Sequence, residues 1–166
     1  MQIDARDRLI VALDVPSAAE AERLVDRMGD HVRFVKVGLE LYTVAGPDIV
    51  RTMVDRGKRV FLDLKFLDIE ETVRRATARV AAMGATFLTV HANRKALLAA
   101  VQGRGQSNLK LLAVTVLTNF DGADLQDMGI QRSVRDLVTA RALLAAEVGC
   151  DGVVASGEEP EAIRAK

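Results

Sequence analysis

The stretch Lys58-Arg-Val-Phe-Leu-Asp-Leu-Lys-Phe-Leu-Asp-Ile-Glu-Glu-Thr-Val73 sets a lysine between two carboxylates where an apolar strand gives way to a helix. Lys58 to Leu62 reads as a strand. With a side-chain period of two, Phe61, Asp63 and Lys65 share one face while Val60, Leu62 and Leu64 share the other. Asp68 stands where a helix beginning at Ile69 needs an N-cap. That helix carries apolar or small residues at Val73, Ala76, Val80, Ala81 and Met83. A structural reading covers part of the pattern: Asp63 and Lys65 as a strand-end ion pair, and Asp68 with Glu71 as a capping box. A chemical reading makes Lys65 a proton donor whose charge is set by acidic neighbours.

The same strand-then-helix unit recurs along the chain at intervals of roughly 25 residues, the spacing of βα units. Strands are expected at Leu9–Leu13, Val32–Val37, Thr86–Val90, Lys110–Val116 and Gly152–Ala155. Helices are expected from the Ser17-x-x-Glu20 capping box to about Met28, from Pro47 to Arg56, from Arg94 to Val101 and from Val134 to Val148. A short helical turn falls near Ala123 to Met128, and Ser156 opens a last helix. Leu39 to Val44 reads only as a short apolar segment. Nearly all-apolar strands without hairpin signals call for a parallel sheet, either doubly wound or closed as a (β/α)8 TIM barrel.

Parity favours the barrel. Ile10, Ala12 and Asp14 share a face, as do Phe34 and Lys36, then Phe61, Asp63 and Lys65, then Phe87, Thr89 and His91. Each face turns polar at its C-terminal end, which is the mouth of a barrel. Taken singly, Asp14 suits a turn, Lys36 suits a snorkelling side chain and His91 suits a hydrogen-bonded lining residue. Together they converge on one cavity.

Composition excludes several classes. Twenty-three basic residues balance 23 acidic ones among 166, and 49% of residues are apolar. Dispersed, balanced charge argues against a nucleic-acid partner, and no apolar stretch approaches membrane-spanning length. The polar first residues carry no signal-peptide core, so a cytoplasmic protein is expected. One cysteine, Cys150, excludes an intrachain disulfide, and His31 and His91 alone offer no zinc-type spacing, so no metal site is expected.

These residues resemble the orotidine 5'-phosphate decarboxylase family. The likeness runs from Leu9-Ile-Val-Ala-Leu-Asp14 and Phe34-Val-Lys36-Val-Gly38 through Asp63-Leu-Lys65-Phe-Leu-Asp68-Ile and Thr72-Val73. It continues in Phe87-Leu-Thr-Val-His91-Ala and Ala113-Val-Thr-Val-Leu-Thr118. The resemblance implies a homodimeric (β/α)8 barrel with shared active sites. It also implies conversion of orotidine 5'-phosphate to UMP and carbon dioxide with neither metal nor organic cofactor. Carried over by position, Lys65 is the proton donor to C6, and Asp63 faces the substrate's carboxylate. Lys36 and Asp14 hold the ribose hydroxyls, Asp68 and Thr72 reach into the neighbouring subunit's site, and Thr118 lies near the pyrimidine.

Three departures stand out. Leu67 replaces a common histidine, Glu70-Glu71 replaces Pro-Asn, and Asn119 replaces a serine. Family members continue through two further βα units that grip the phosphate. The resemblance therefore implies a single barrel domain over 1–166 that is C-terminally incomplete, supplying about six of eight units. A chain ending at Lys166 is expected to bind the nucleotide weakly and turn it over slowly or not at all. Two rival functions share the pattern. Magnesium-dependent sugar-phosphate decarboxylases and synthases of the same barrel group carry D-x-K-x-x-D, usually followed by Ala-Gly, and a truncated barrel could serve as a non-catalytic nucleotide-binding module.

Overall fold

A computed structural model describes residues 4–165 of the chain. Its six strands are β1 (Ile10–Ala12), β2 (Phe34–Gly38), β3 (Arg59–Phe66), β4 (Phe87–His91), β5 (Lys110–Val114) and β6 (Gly152–Val154). Between them run α1 (Ala18–Met28), α2 (Leu39–Ala45), α3 (Asp48–Asp55), α4 (Glu70–Ala82), α5 (Arg94–Arg104), α6 (Gly122–Asp127) and α7 (Val134–Glu147), with α8 (Pro160–Arg164) last. All strand pairs are parallel, and the order is β1-β2-β3-β4-β5-β6. A doubly wound sheet reverses its strand order part-way; this sheet does not, and it is the wall of a partial (β/α)8 barrel.

The outward face carries the main core. Val35, Val37, Val60, Leu62, Leu88, Val90, Leu111 and Ala113 are buried and pack with helix residues such as Ala21, Val25, Met53, Val73, Val80 and Leu97. Burying each larger side chain stabilises the fold by about 1.5–3 kcal/mol. The inward face is filled low down by aromatics. Phe34 stacks on Phe87 with centroids 5.1 Å apart, and Phe61 meets Phe87 edge-on at 6.0 Å. The Arg59 guanidinium lies 4.5 Å above the Phe34 ring, a cation–π cap at the barrel floor.

The helices begin as the sequence dictates in some places and not in others. Ser17 accepts the Glu20 N–H at 3.2 Å and caps α1. Asp68 caps nothing: α4 begins at Glu70 with Ile69 at the N-cap, and the Asp68 carboxylate accepts only the Ile69 N–H, at 2.6 Å. A capping side chain must reach an amide two or three residues ahead, and Asp68 stands one residue too early. The segment from Leu39 is a helix, because Leu41 finds a fully buried seat. α4 and α5 approach so closely at Gly103 that a Cβ there would overlap the Arg74 carbonyl.

β3 departs most from expectation. It does not stop at Leu62 but runs through the motif to Phe66. Its register against β4 slips on the way, with Leu62 opposite Leu88 and Phe66 opposite Val90. Three residues of β3 therefore face Thr89 alone. Lys65 takes up the slack with φ 50°, and among the described residues no other non-glycine residue has positive φ. Such a conformation is strained for a residue with a Cβ, costing of order 1–3 kcal/mol, and persists only where its surroundings hold it.

Candidate active site

β1, β2 and β3 end at a common rim, and their polar residues form a chain of alternating charge. Lys36 Nζ lies 3.1 Å from Asp14 Oδ1 and 3.8 Å from Asp63 Oδ2. Lys65 Nζ donates to both oxygens of Asp63 at 3.0 Å. Burial is graded. The side chain of Asp63 is 14% exposed, Lys36 22% and Lys65 31%, whereas Asp14 is 59% exposed at the edge. Asp63 is the hub, since two ammonium groups converge on one carboxylate largely withdrawn from water. Gly38 supplies the space: a Cβ there would come within 3.3 Å of both Asp14 Oδ1 and Lys36 Nζ.

A second compartment lies at the ends of β4 and β5. A cavity of about 320 Å³ is lined by Leu67, His91, Asn93, Leu117, Phe120 and Arg141, among others. His91 is half-buried. Burial foremost, then the positive charges of Arg141 and Lys65, hold its pKa below the ordinary imidazole value and keep the ring neutral. Arg141 reaches in from α7 and donates to the Thr115 carbonyl at 2.5 Å.

The remaining expected site residues lie apart from the charged chain. Asp68 and Thr72 are exposed on the loop after β3 and on α4, and Thr118 is exposed beside a separate cavity shared with Ser156 and Glu159. Among the described residues no hydrogen bond joins these three to Asp14, Lys36, Asp63 or Lys65. Among those residues, too, no three His, Cys, Asp or Glu side chains cluster as metal ligands.

The model of the orotidine 5'-phosphate decarboxylase / HUMPS family matches residues 7–166. The chain belongs to that family. It is 53% identical over 159 residues to the orotidine 5'-phosphate decarboxylase of Rhodopseudomonas palustris strain HaA2, covering 96% of this chain and 68% of that protein. The enzyme of the same name from Nitrobacter winogradskyi is 52% identical over 160 residues, covering 96% of this chain and 67% of the relative. The chain thus spans about two thirds of the length of these relatives. Among solved structures, the orotidine 5'-phosphate decarboxylase from Lactobacillus acidophilus superposes with a TM-score of 0.89 at 34% identity, covering 95% of this chain and 75% of that one. An uncharacterized conserved protein from Geobacillus kaustophilus gives a TM-score of 0.88 at 41% identity, covering 94% and 77%.

Within the family frame, the departures from its usual residues fall outside the charged chain. Leu67 is 58% exposed and borders the His91 cavity. Glu70 pairs with Lys95 at 3.1 Å, and Glu71 forms a bidentate pair with Arg74 at 2.6 and 2.8 Å. The first joins the surfaces of α4 and α5 and the second lies within α4. One residue of the site escaped the sequence reading as a participant. Thr89, placed on the inward face only by parity, touches both Asp63 and the Lys65 backbone.

Proposed function

We propose that this chain decarboxylates orotidine 5'-phosphate to UMP without a cofactor, with the Lys65 ammonium delivering the proton to C6. The observation that carries this reading is the Asp14–Lys36–Asp63–Lys65 chain at the rim of the barrel. Loss of carbon dioxide leaves an electron pair in the plane of the pyrimidine, where the ring cannot delocalise it. A fixed cation in a water-poor site stabilises such localised charge far better than water does. Lys65 is held by a two-oxygen contact before that charge develops, so little reorganisation accompanies the reaction. The C6–carboxylate bond breaks, its electron pair stays on C6, and one N–H proton of Lys65 passes to that carbon.

Asp63 has two tasks in this reading. It orients Lys36 and Lys65, and it stands against the substrate's own carboxylate. Two such charges 4 Å apart repel by about 4 kcal/mol at an effective dielectric near 20, and departure of carbon dioxide relieves the contact. Lys36 and Asp14, nearer solvent, hold the ribose hydroxyls, and Thr118 lies toward the pyrimidine.

The reading extends to a cytoplasmic homodimer in which the whole of 1–166 belongs to one barrel domain. Leu39, Val44, Leu67 and Ile69 are between 58% and 73% exposed, and all follow the C-terminal ends of β2 and β3. A cluster of apolar side chains at that rim fits a covered surface. A second copy seated there would receive Asp68 and Thr72. Among the described residues no helix is long and apolar enough to cross a membrane.

Turnover of orotidine 5'-phosphate with and without a chelator tests the assignment, and the same rate in both is expected. Lys65→Ala should lower turnover about a thousandfold or more while the thermal transition is kept; retention of most activity would overturn the proton-donor role. Mixing Lys65→Ala with Asp68→Ala protein tests the shared site. Random pairing should restore about a quarter of wild-type activity, because half the dimers then carry one intact site. No recovery despite exchange of protomers would confine Asp68 to its own subunit.

A further inference from the structure

Three polar side chains are buried among the described residues, Thr77, Thr89 and Thr115, and only one of them bears on the charged chain. Thr115 Oγ1 donates to the Val154 carbonyl at 2.9 Å and ties β5 to β6. Thr77 Oγ1 has no hydrogen-bond partner. Thr89, with no exposed surface, has both of its hydroxyl functions engaged with the motif on β3.

The geometry points to Thr89 as the positioning residue that holds Lys65 and Asp63 in their working arrangement. The bulge in β3 creates the need. Between the pairs Leu62–Leu88 and Phe66–Val90, β3 spends four steps where β4 spends two. The Lys65 N–H thereby loses its place in the ladder, and a buried amide without an acceptor is costly. Thr89 Oγ1 accepts it at 2.9 Å. The same oxygen lies 2.9 Å from Asp63 Oδ1. An ionised carboxylate can only accept, so the hydroxyl proton is committed to Asp63 and a lone pair to Lys65. One side chain thus fixes the backbone of the lysine and the carboxylate that grips its ammonium. It also sustains the positive φ of Lys65, a conformation that needs an external hold.

The inference rests on the decarboxylation reading for its effect on rate, and its test separates the two. Thr89→Val keeps the shape of the side chain and removes both hydrogen bonds. Displacement of a reacting group by about 1 Å costs on the order of 100-fold in rate. The expected result is therefore a fall in kcat of about that size with KM for orotidine 5'-phosphate within about threefold, since Lys36 and Asp14, assigned to the ribose, are untouched. Thr89→Ser restores the hydroxyl and should return kcat to within about threefold of wild type. A merely structural role would lower the melting temperature of the valine variant and leave kcat of the folded fraction unchanged. That outcome overturns the inference, as does a serine variant no better than valine. Should the valine variant not fold, Thr89→Cys carries the same comparison, because a thiol fills the space and donates only weakly. Wild-type protein inactive toward orotidine 5'-phosphate would instead sink the decarboxylation reading. The Lys65 amide then decides the positioning claim alone: slow hydrogen exchange in wild type and the serine variant, fast exchange in valine or cysteine, upholds it, and equal rates overturn it.

Discussion

Leu88 and Thr89 are neighbours in sequence on opposite faces of one strand, and their surroundings differ in kind. Leu88 points outward into a dry layer of valines, leucines and alanines packed with the helices. Thr89 points inward to a carboxylate, a bulged backbone and an ammonium group. The outward layer is redundant, since many equivalent contacts share the load and each gains by being packed. The inward site has single-copy parts whose hydrogen bonds cannot be replaced by a neighbour. The strain at Lys65 sits on the inward side, and the packing that can offset it sits on the outward side. Stability and chemistry are thus separated by the thickness of one strand.

The largest test of that separation is Leu88→Ala. Removing a fully buried leucine from the outward layer should cost about 2–5 kcal/mol, the range for cavities that relax only in part. Denaturant melts would show the loss as a lower midpoint, while kcat of the folded protein stays within a few-fold of wild type. A collapse of kcat in protein shown to be folded would mean that outward packing sets the inward geometry, and the separation would fail.

The sequence made the separation visible before any coordinates. Alternation at Phe61, Asp63 and Lys65 against Val60, Leu62 and Leu64 told which side would be charged, and the polar ends of β1, β2 and β3 told where, whereas His91 at the end of β4 lines the second compartment instead. The bulge stayed hidden for a physical reason. Extending β3 by two steps preserves parity, so every side chain keeps its expected face while the register and the backbone of Lys65 change. Thr89 was masked by its own ordinariness, because threonine suits a strand with or without a task. Leu39 to Val44 is too short for its period to separate helix from strand, and tertiary burial of Leu41 decided it. Asp68 misled by one residue, an error that sequence patterns make easily at helix boundaries.

His91 offers a smaller effect, on the inward side. Its ring is held neutral by burial and by the charges of Arg141 and Lys65. The unfolded chain takes up this proton near pH 6.5, and the folded chain only at lower pH. Between those values the unfolded state binds more protons, so stability falls as pH drops. The contribution is complete above pH 6.5 and is lost once the pH is below the lowered native value. His91→Gln should flatten that part of the stability–pH curve measured by denaturant melts. An unchanged slope in the glutamine variant would show that the ring is solvated enough to titrate freely.

The smallest expected effect returns to the outward side, where Thr77 of α4 faces α5 beside Gly103 with a buried hydroxyl that meets no acceptor. Here a hydroxyl interrupts the apolar interior of that layer. A buried polar group without a partner keeps its desolvation penalty, and replacing it by an apolar group of the same shape is neutral to stabilising. Thr77→Val should therefore raise stability by between zero and about 1 kcal/mol, or at most a few degrees in Tm for a domain of this size. The rate of turnover should not move. Thr89→Val, the same chemical change on the other face, is expected to do the reverse. If Thr77→Val instead destabilises by more than about 1 kcal/mol, its hydroxyl is bonded in solution, to a backbone carbonyl of α4 or to water. The outward layer would then depend on single polar contacts as the inward site does, and the contrast between the two faces would be one of degree.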